Sequence, residues 1–200
     1  MERPVGDRRG ERHARTRAEV QAAAWQLARE RGLAGWSLRD VADAVGMRAP
    51  SLYVYFDSKN ALYDALYADG YRVLIERLAA LPRTGTPREV LRRGAQAFFS
   101  FCVEDPARHQ LMFLRTIPGF EPSAASYALA EQVLAETVEV LTGAGATAAG
   151  VDLWTALITG LASQQVSNDP GGERWAKLLE PAVDMFVATQ LPARRRRAAG

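Results

Sequence analysis

A single cysteine, Cys102, stands among the 200 residues, so no intrachain disulfide can form, and the chain suits a reducing compartment. No run of about 18 apolar residues occurs, which argues against a membrane-spanning helix. Met1 to Arg17 is charged where a secretory leader needs an apolar stretch, so a cytoplasmic protein without a membrane partner is expected. No alternating apolar pattern of any length marks a strand, and no internal repeat is found. Histidine is scarce too, with only His13 and His109. His109 could pair with Asp105 four residues before it as a metal site, or with Cys102 as base and nucleophile. A helix cap, a surface histidine and a core thiol account for the same three residues, so no metal, no cofactor and no catalytic residue is expected.

What is present suits a folded domain: 48% hydrophobic and 24% charged residues. The net charge of +2 is unevenly spread. Residues 1–60 hold 11 Arg or Lys against 8 Asp or Glu, residues 61–193 hold 10 against 15, and Arg194 to Arg197 add four cations. An anionic partner therefore belongs to the first sixty residues.

Helical spacing recurs throughout. Val20, Ala23, Ala24, Leu27 and Ala28 predict a helix over 15–31 that Gly32 closes. Ser37 and Asp40 form a capping box for a second, with Leu38, Val41, Ala42 and Val45 inward and Gly46 ending it. Pro50 suits the first turn of a third, over about 49–55. Asp57 and Ser58 can cap a fourth to about Leu81, and Thr86 with Glu89 caps a fifth. Its later turns, Ala97 to Val103, are apolar nearly all round, as inside a bundle. Further helices are expected over about 105–114, 123–141, 147–166 and 172–190, the last kinked by Pro181. Gly143, Gly145 and Ala148 mimic a dinucleotide fingerprint, but a helix precedes them where that fingerprint needs a strand, so an interhelical turn is expected.

The expected fold is all-α: an N-terminal three-helix helix-turn-helix DNA-binding domain and a C-terminal helical bundle for ligand binding and dimerisation. Its divisions are a flexible basic arm over 1–14, the DNA-binding domain over 15–60, the bundle over 61–192 and a disordered Arg-rich tail over 193–200. The arm holds six Arg and three acids among its first 17 residues, and it either follows a minor groove or is simply mobile.

In a helix-turn-helix the second helix enters the major groove, while neighbouring side chains and helix ends hold phosphates. Leu52 and Phe56 stand four apart and can pack on Leu38 and Val41, which leaves Ser51, Tyr53, Val54 and Tyr55 to the other faces. Arg48 at the helix entry can offer a bidentate fork to a guanine. Lys59 opposes the dipole of the helix it begins, a placement that a phosphate would explain. The DNA-contact set is Ser37, Arg39, Arg48, Ala49, Pro50, Ser51, Tyr53, Val54, Tyr55 and Lys59. Arg39 is as well explained by an ordinary surface charge, and which tyrosine touches phosphate stays open.

The run SLRDVADAVGMRAPSLYVYFDSKNAL, Ser37 through Leu62, resembles the DNA-binding signature of the TetR family of bacterial transcriptional regulators. That resemblance implies a homodimeric repressor whose variable C-terminal bundle binds a small molecule. More loosely, DLWTALITGL, from Asp152 to Leu161, resembles the Trp-His-Gly motif that names one C-terminal subtype. Trp154 and Gly160 match, but Thr159 stands where that subtype has histidine, so the histidine's role is not carried over.

Effector-pocket candidates are Phe98, Phe101, Met112, Phe113, Phe120, Tyr127, Trp154, Leu157 and Thr159, a set suited to a largely apolar ligand. Each taken singly is equally a core residue. Ile158, Leu161, Leu179, Val183 and Phe186 are the expected dimer contacts, in a four-helix interface from the last two helices of each chain. The expected function is a repressor that binds a palindromic double-stranded operator as a homodimer and is released by a small-molecule effector. The alternatives are an activator or a ligand-independent regulator and, from another class, a helical-bundle enzyme or carrier.

Overall fold

In the computed structural model, residues 6–191 are described, with side-chain exposure from Arg8 onward. The expectations for residues 1–5 and for the Arg-rich stretch 193–200 lie outside them. Among the described residues the elements are α1 (Gly6–Arg31), α2 (Leu38–Ala44), α3 (Ala49–Leu52), α4 (Lys59–Ala79), α5 (Pro87–Glu104), α6 (Pro106–Phe113), α7 (Ala124–Gly143), α8 (Ala148–Asn168) and α9 (Leu179–Gln190), with one 3-10 turn at Ala176–Leu178. The described residues form helices and no strand, the all-α fold that the periodicity predicts.

The capping signals act as expected. Ser37 and Asp40 close one reciprocal box, Thr86 and Glu89 another, and Thr147 caps α8 by accepting from Gly150 N. Gly46 ends α2 with φ +68°, its N–H on Asp43 O and the Met47 N–H on Ala42 O, the paired bonds of a Schellman motif that a side chain here would strain. Gly143 ends α7, and the turn beyond it leads to Thr147, so the fingerprint-like glycines mark an interhelical turn.

Three boundaries differ from expectation, the first being that α3 ends at Leu52 rather than near Tyr55. Helix α1 starts at Gly6 rather than near Arg15, so residues 6–14, assigned to a flexible arm, are helical. The Arg, Glu and Ala of that stretch are good helix formers, and the absence of a buried stripe hides the helix from a periodicity argument. The last helix starts at Leu179 rather than at Gly172, with Pro181 in its first turn instead of kinking its middle. Proline has no N–H to bond the carbonyl four residues back and its ring clashes there, so the helix cannot extend upstream as one piece. Buried Gln165 holds the preceding loop instead. Its Oε1 accepts from Trp175 N at 3.0 Å and Ala176 N at 3.2 Å, and its Nε2 donates to Gly172 O at 3.1 Å.

The chain divides into two compact units, one running to Gly70 and including Ala107–Tyr127, the other comprising Tyr71–Pro106 and the residues from Ala128 on. In the first, α2 packs on α1 and α3 on α2. Trp25 Nε1 donates to Asp69 at 3.0 Å and Gln21 Nε2 to Ala65 O at 3.2 Å, which seats α1 on α4. In the second, α5 packs on α8 and α9. Leu91, Ala95, Phe99, Phe101 and Cys102 of α5 are buried with Trp154, Ile158, Val183 and Phe186. Arg88 makes a two-pronged pair with Asp184 at 2.5 and 3.0 Å. Such exposed pairs contribute about 0–1 kcal/mol, so the apolar core dominates.

Trp154 meets Phe186 edge-on with ring centroids 4.9 Å apart. Replacing it should leave a cavity that this packed site cannot close. Trp154→Ala is expected to lower unfolding stability by about 3–5 kcal/mol, read from urea denaturation, and a loss below about 1 kcal/mol would show a site that collapses freely.

Candidate functional site: a nucleic-acid interface

The third helix is short, and the helical path continues past Leu52 as single turns, with Tyr55 N–H on Leu52 O at 2.9 Å and Phe56 N–H on the same carbonyl at 3.0 Å. Leu52 and Phe56 are buried together with Val41 and Ala42, as their four-residue spacing requires. The opposite face is open. Tyr53 is 55% exposed and Val54 71%, and Arg48, Pro50 and Ser51 are exposed beside them while Ala49 is half-buried.

The two tyrosines separate. The Tyr55 ring stacks on His13 of α1 at 4.6 Å and 25°, and its carbonyl accepts from Arg17 Nη1 at 2.7 Å. The Arg17 guanidinium also lies 4.1 Å over the Phe56 ring, a cation–π contact. Tyr55 is thus the packing tyrosine and Tyr53 the outward one. His13 and Arg17, which sequence reasoning placed in or beside the arm, lock the recognition turn from behind. Their four-residue spacing was the available signal, usable only once α1 is known to extend that far.

Lys59 is held within its own unit. Its Nζ donates to Trp36 O and, at 3.3 Å, to Ala34 O, and lies 4.4 Å from the Trp36 ring centroid and 5.2 Å from that of Tyr63. These carbonyls account for a cation at the start of α4 without any phosphate. Burial pulls the Lys59 pKa down, against the pull of nearby Asp40. An ammonium has three donors, so one N–H beyond the two carbonyl bonds is available to a phosphate oxygen. Tyr63, one turn on, donates from its hydroxyl to Leu33 O and meets Trp36 edge-on at 5.3 Å. Sequence reasoning singled out neither Trp36 nor Tyr63.

Ser37 spends its hydroxyl on the capping box, accepting from Asp40 N at 3.3 Å and donating to the Asp40 carboxylate. The hydroxyl and backbone bonds from Ser37, together with Arg31 3.2 Å away, hold the Asp40 carboxyl below the usual range. Arg39 is exposed beside this box.

The effector candidates fall on both units. Phe101 and Trp154 are buried in the second, and Phe98, Leu157 and Thr159 are half-buried there. In the first, Met112 is buried, Phe113 tilts against His109 at 5.7 Å, Phe120 meets Tyr63 at 5.6 Å, and Tyr127 is 50% exposed. Burial pushes the pKa of His109 down. A groove of about 230 Å³ in the second unit is lined by Arg92, Gln96, Ala176, Lys177, Leu179 and Glu180, none of them in the candidate set.

The expected dimer contacts lie in the protomer core. Ile158, Leu161, Leu179, Val183 and Phe186 are all buried within the protomer, where their apolar surface is already used. The outward stripes are Leu153, Ala156 and Gly160 of α8, and Leu178 with Pro181, Met185 and Ala188 of α9.

Residues 21–66, which span this helix-turn-helix and its seat on α4, match the model of the bacterial regulatory proteins of the tetR family. The helix-turn-helix segment of the chain is thus of the tetR type. The chain is 34% identical over 115 residues to the HTH-type transcriptional activator FasR of Mycolicibacterium smegmatis, a match covering 56% of this chain and 52% of that protein. It is 41% identical over 63 residues to the HTH-type transcriptional repressor KstR2 of Rhodococcus jostii, covering 32% of this chain and 30% of that one. The matches thus span about half of the first relative and under a third of the second. A tetR-family transcriptional regulator from Streptomyces coelicolor has the same fold, with TM-score 0.69 and 25% identity over 86% of this chain and 78% of that one.

Burial raises the Tyr63 pKa from an ordinary 10 to about 12. The unfolded chain therefore loses this proton near pH 10 while the folded protein still holds it. Stability from Tyr63 is complete below pH 10 and falls as pH rises toward 12. Spectroscopic titration of phenolate should show one tyrosine ionising last, and Tyr63→Phe should remove that step and flatten the alkaline loss of stability. An unchanged titration in Tyr63→Phe would place the late step on another tyrosine.

Proposed function

We propose that this tetR-family chain binds a palindromic operator duplex as a homodimer and represses transcription until a small, largely apolar effector releases it. The observation that carries the DNA reading is the recognition turn itself. Arg48, Ser51, Tyr53 and Val54 face outward on a turn whose other side is locked by Leu52, Phe56, His13 and Arg17. Within it Arg48 reads a base edge, Tyr53 reaches phosphate, and the remaining N–H of Lys59 adds a phosphate contact. The activator reading has its own support in FasR, the relative matched over the longer stretch. A reporter gene placed behind the selected operator separates the two, since deleting the regulator raises expression under repression and lowers it under activation.

Dimerisation is proposed through the exposed apolar stripes of α8 and α9, with Leu153, Leu178 and Met185 as the large contacts. The side chains recur every three to four residues, so each helix presents one face, and a two-fold interface pairs that face with itself. The effector reading draws on the aromatic and apolar surplus around Phe98, Phe101, Met112 and Phe120. An effector that favours a dimer with mis-spaced recognition helices lowers operator affinity, because successive major grooves lie about 34–36 Å apart.

Two outcomes test these assignments. Arg48→Ala should relax preference at one position in each half-site by about 1–3 kcal/mol, while Tyr53→Phe should weaken all duplexes alike. An equal loss for every sequence in Arg48→Ala would make Arg48 a backbone anchor. Met185→Glu should shift the chain from dimer to monomer in sedimentation with its thermal transition kept, because Met185 is 54% exposed in the protomer. A variant that remains dimeric would move the interface elsewhere.

A further inference from the structure

We infer that the first turns of α1 form a second DNA-contacting surface, which takes backbone phosphates flanking the half-site through Arg9 and Arg12. The inference rests on the DNA-binding reading above and adds to it a surface outside the helix-turn-helix. Its starting point is the unexpected length of α1, which begins at Gly6 and keeps Arg8, Arg9 and Arg12 exposed.

His13 and Arg17 are one turn apart on the face of α1 that meets the recognition turn, through the Tyr55 ring, the Tyr55 carbonyl and the Phe56 ring. Arg9 precedes His13 by four residues, so it lies on this same face about 6 Å farther out. Arg12 is about 100° around the helix from His13. Helix side chains lean toward the N-terminus, which carries both guanidinium groups past the recognition turn rather than back over it. Glu11 falls on the opposite side of the helix, and Arg15, likewise opposite, pairs with Glu19 at 3.1 Å. The positive end of the helix dipole adds to the attraction for an anion at this end of α1.

Geometry also chooses between the phosphate backbone and a groove. A helix with side chains is about 10–12 Å across, while the minor groove is about 6 Å wide, so α1 cannot enter it as a flexible arm would. The stack on Tyr55 fixes α1 to the recognition turn, so its cations meet phosphates at a set distance outside the bases being read. Such contacts add affinity and salt dependence but no sequence preference.

The test uses the full chain and duplexes that the wild type selects from a random-sequence pool. Each is prepared in two lengths, ending at the outermost selected base pair or extended by about one helical turn, ~10 bp, on each side. Arg9→Ala/Arg12→Ala should lower the salt-dependence slope on the extended duplex by about 0.9 for every phosphate that the two guanidinium groups no longer neutralise, with base preference unchanged. On the short duplex the variant and wild type should agree. Arg9→Lys/Arg12→Lys should restore the slope, which separates charge from any effect on the helix. Equal slopes for wild type and alanine variant on the extended duplex would overturn the inference while leaving the helix-turn-helix reading intact, and so would an altered base preference. A wild type that selects no duplex would overturn both readings.

Discussion

Three main-chain carbonyls in the turn after α1 decide how the recognition turn is held. Leu33 and Trp36 are buried and Ala34 between them is exposed, and carbonyls taken from water need donors. Two side chains one turn apart on α4 supply them: Tyr63 bonds Leu33, and Lys59 bonds Ala34 and Trp36. The Trp36 ring lies under the Lys59 ammonium and against the Tyr63 edge, so the turn is gripped by polar and aromatic contacts together. Helix α2 begins directly after this turn, and α3 follows from the Schellman turn at Gly46. A shift of α4 beneath this grip therefore carries the recognition turn with it.

Local signals made most of the fold legible. Capping boxes at Ser37 and Thr86, Pro50 in a first turn and Gly46 after a last one act within a few residues, so the sequence displays them directly. The start of α1 was hidden because periodicity reports only helices that bury a stripe, and residues 8–15 are all exposed. The roles of Tyr53 and Tyr55 were hidden for a different reason. Two residues apart on a short helical turn, they point to different sides, and only the placement of His13, forty-two positions upstream of Tyr55, shows which side is covered.

The outward faces of α8 and α9 show a third limit. On α8 and α9 apolar residues occupy more than one stripe, and spacing alone does not say which turns inward. The structure buries Ile158, Val183 and Phe186 in the protomer and leaves Leu153 and Met185 outside. Bulky branched and aromatic groups fill a fixed core space, while the flexible thioether of Met185 is left on the surface. Lys59, whose place on the helix dipole calls for a partner, has two carbonyls of the same unit beside it, which spacing alone does not reveal.

A later segment of the chain also reaches this grip. The segment Ala107–Tyr127 belongs to the same compact unit as the helix-turn-helix, although it follows in sequence after α5. It meets α4 along one face. Asn60 Nδ2 donates to Gly119 O at 3.4 Å, Tyr63 packs on Phe120, and the Asp64 carboxylate accepts from Ser123 N at 2.7 Å and Ser126 Oγ at 2.8 Å. Positions 60, 63 and 64 share one side of α4, and Tyr63 is also half of the grip on the turn after α1. Gly70 lets Met112 approach closely on the next turns, where an added Cβ would come within 2.5 Å of the Met112 sulfur. Tyr63 thus joins two sets of contacts, the packing on Phe120 and the hydrogen bond to Leu33 O beside the Trp36 ring, so a displacement of either is felt by the other.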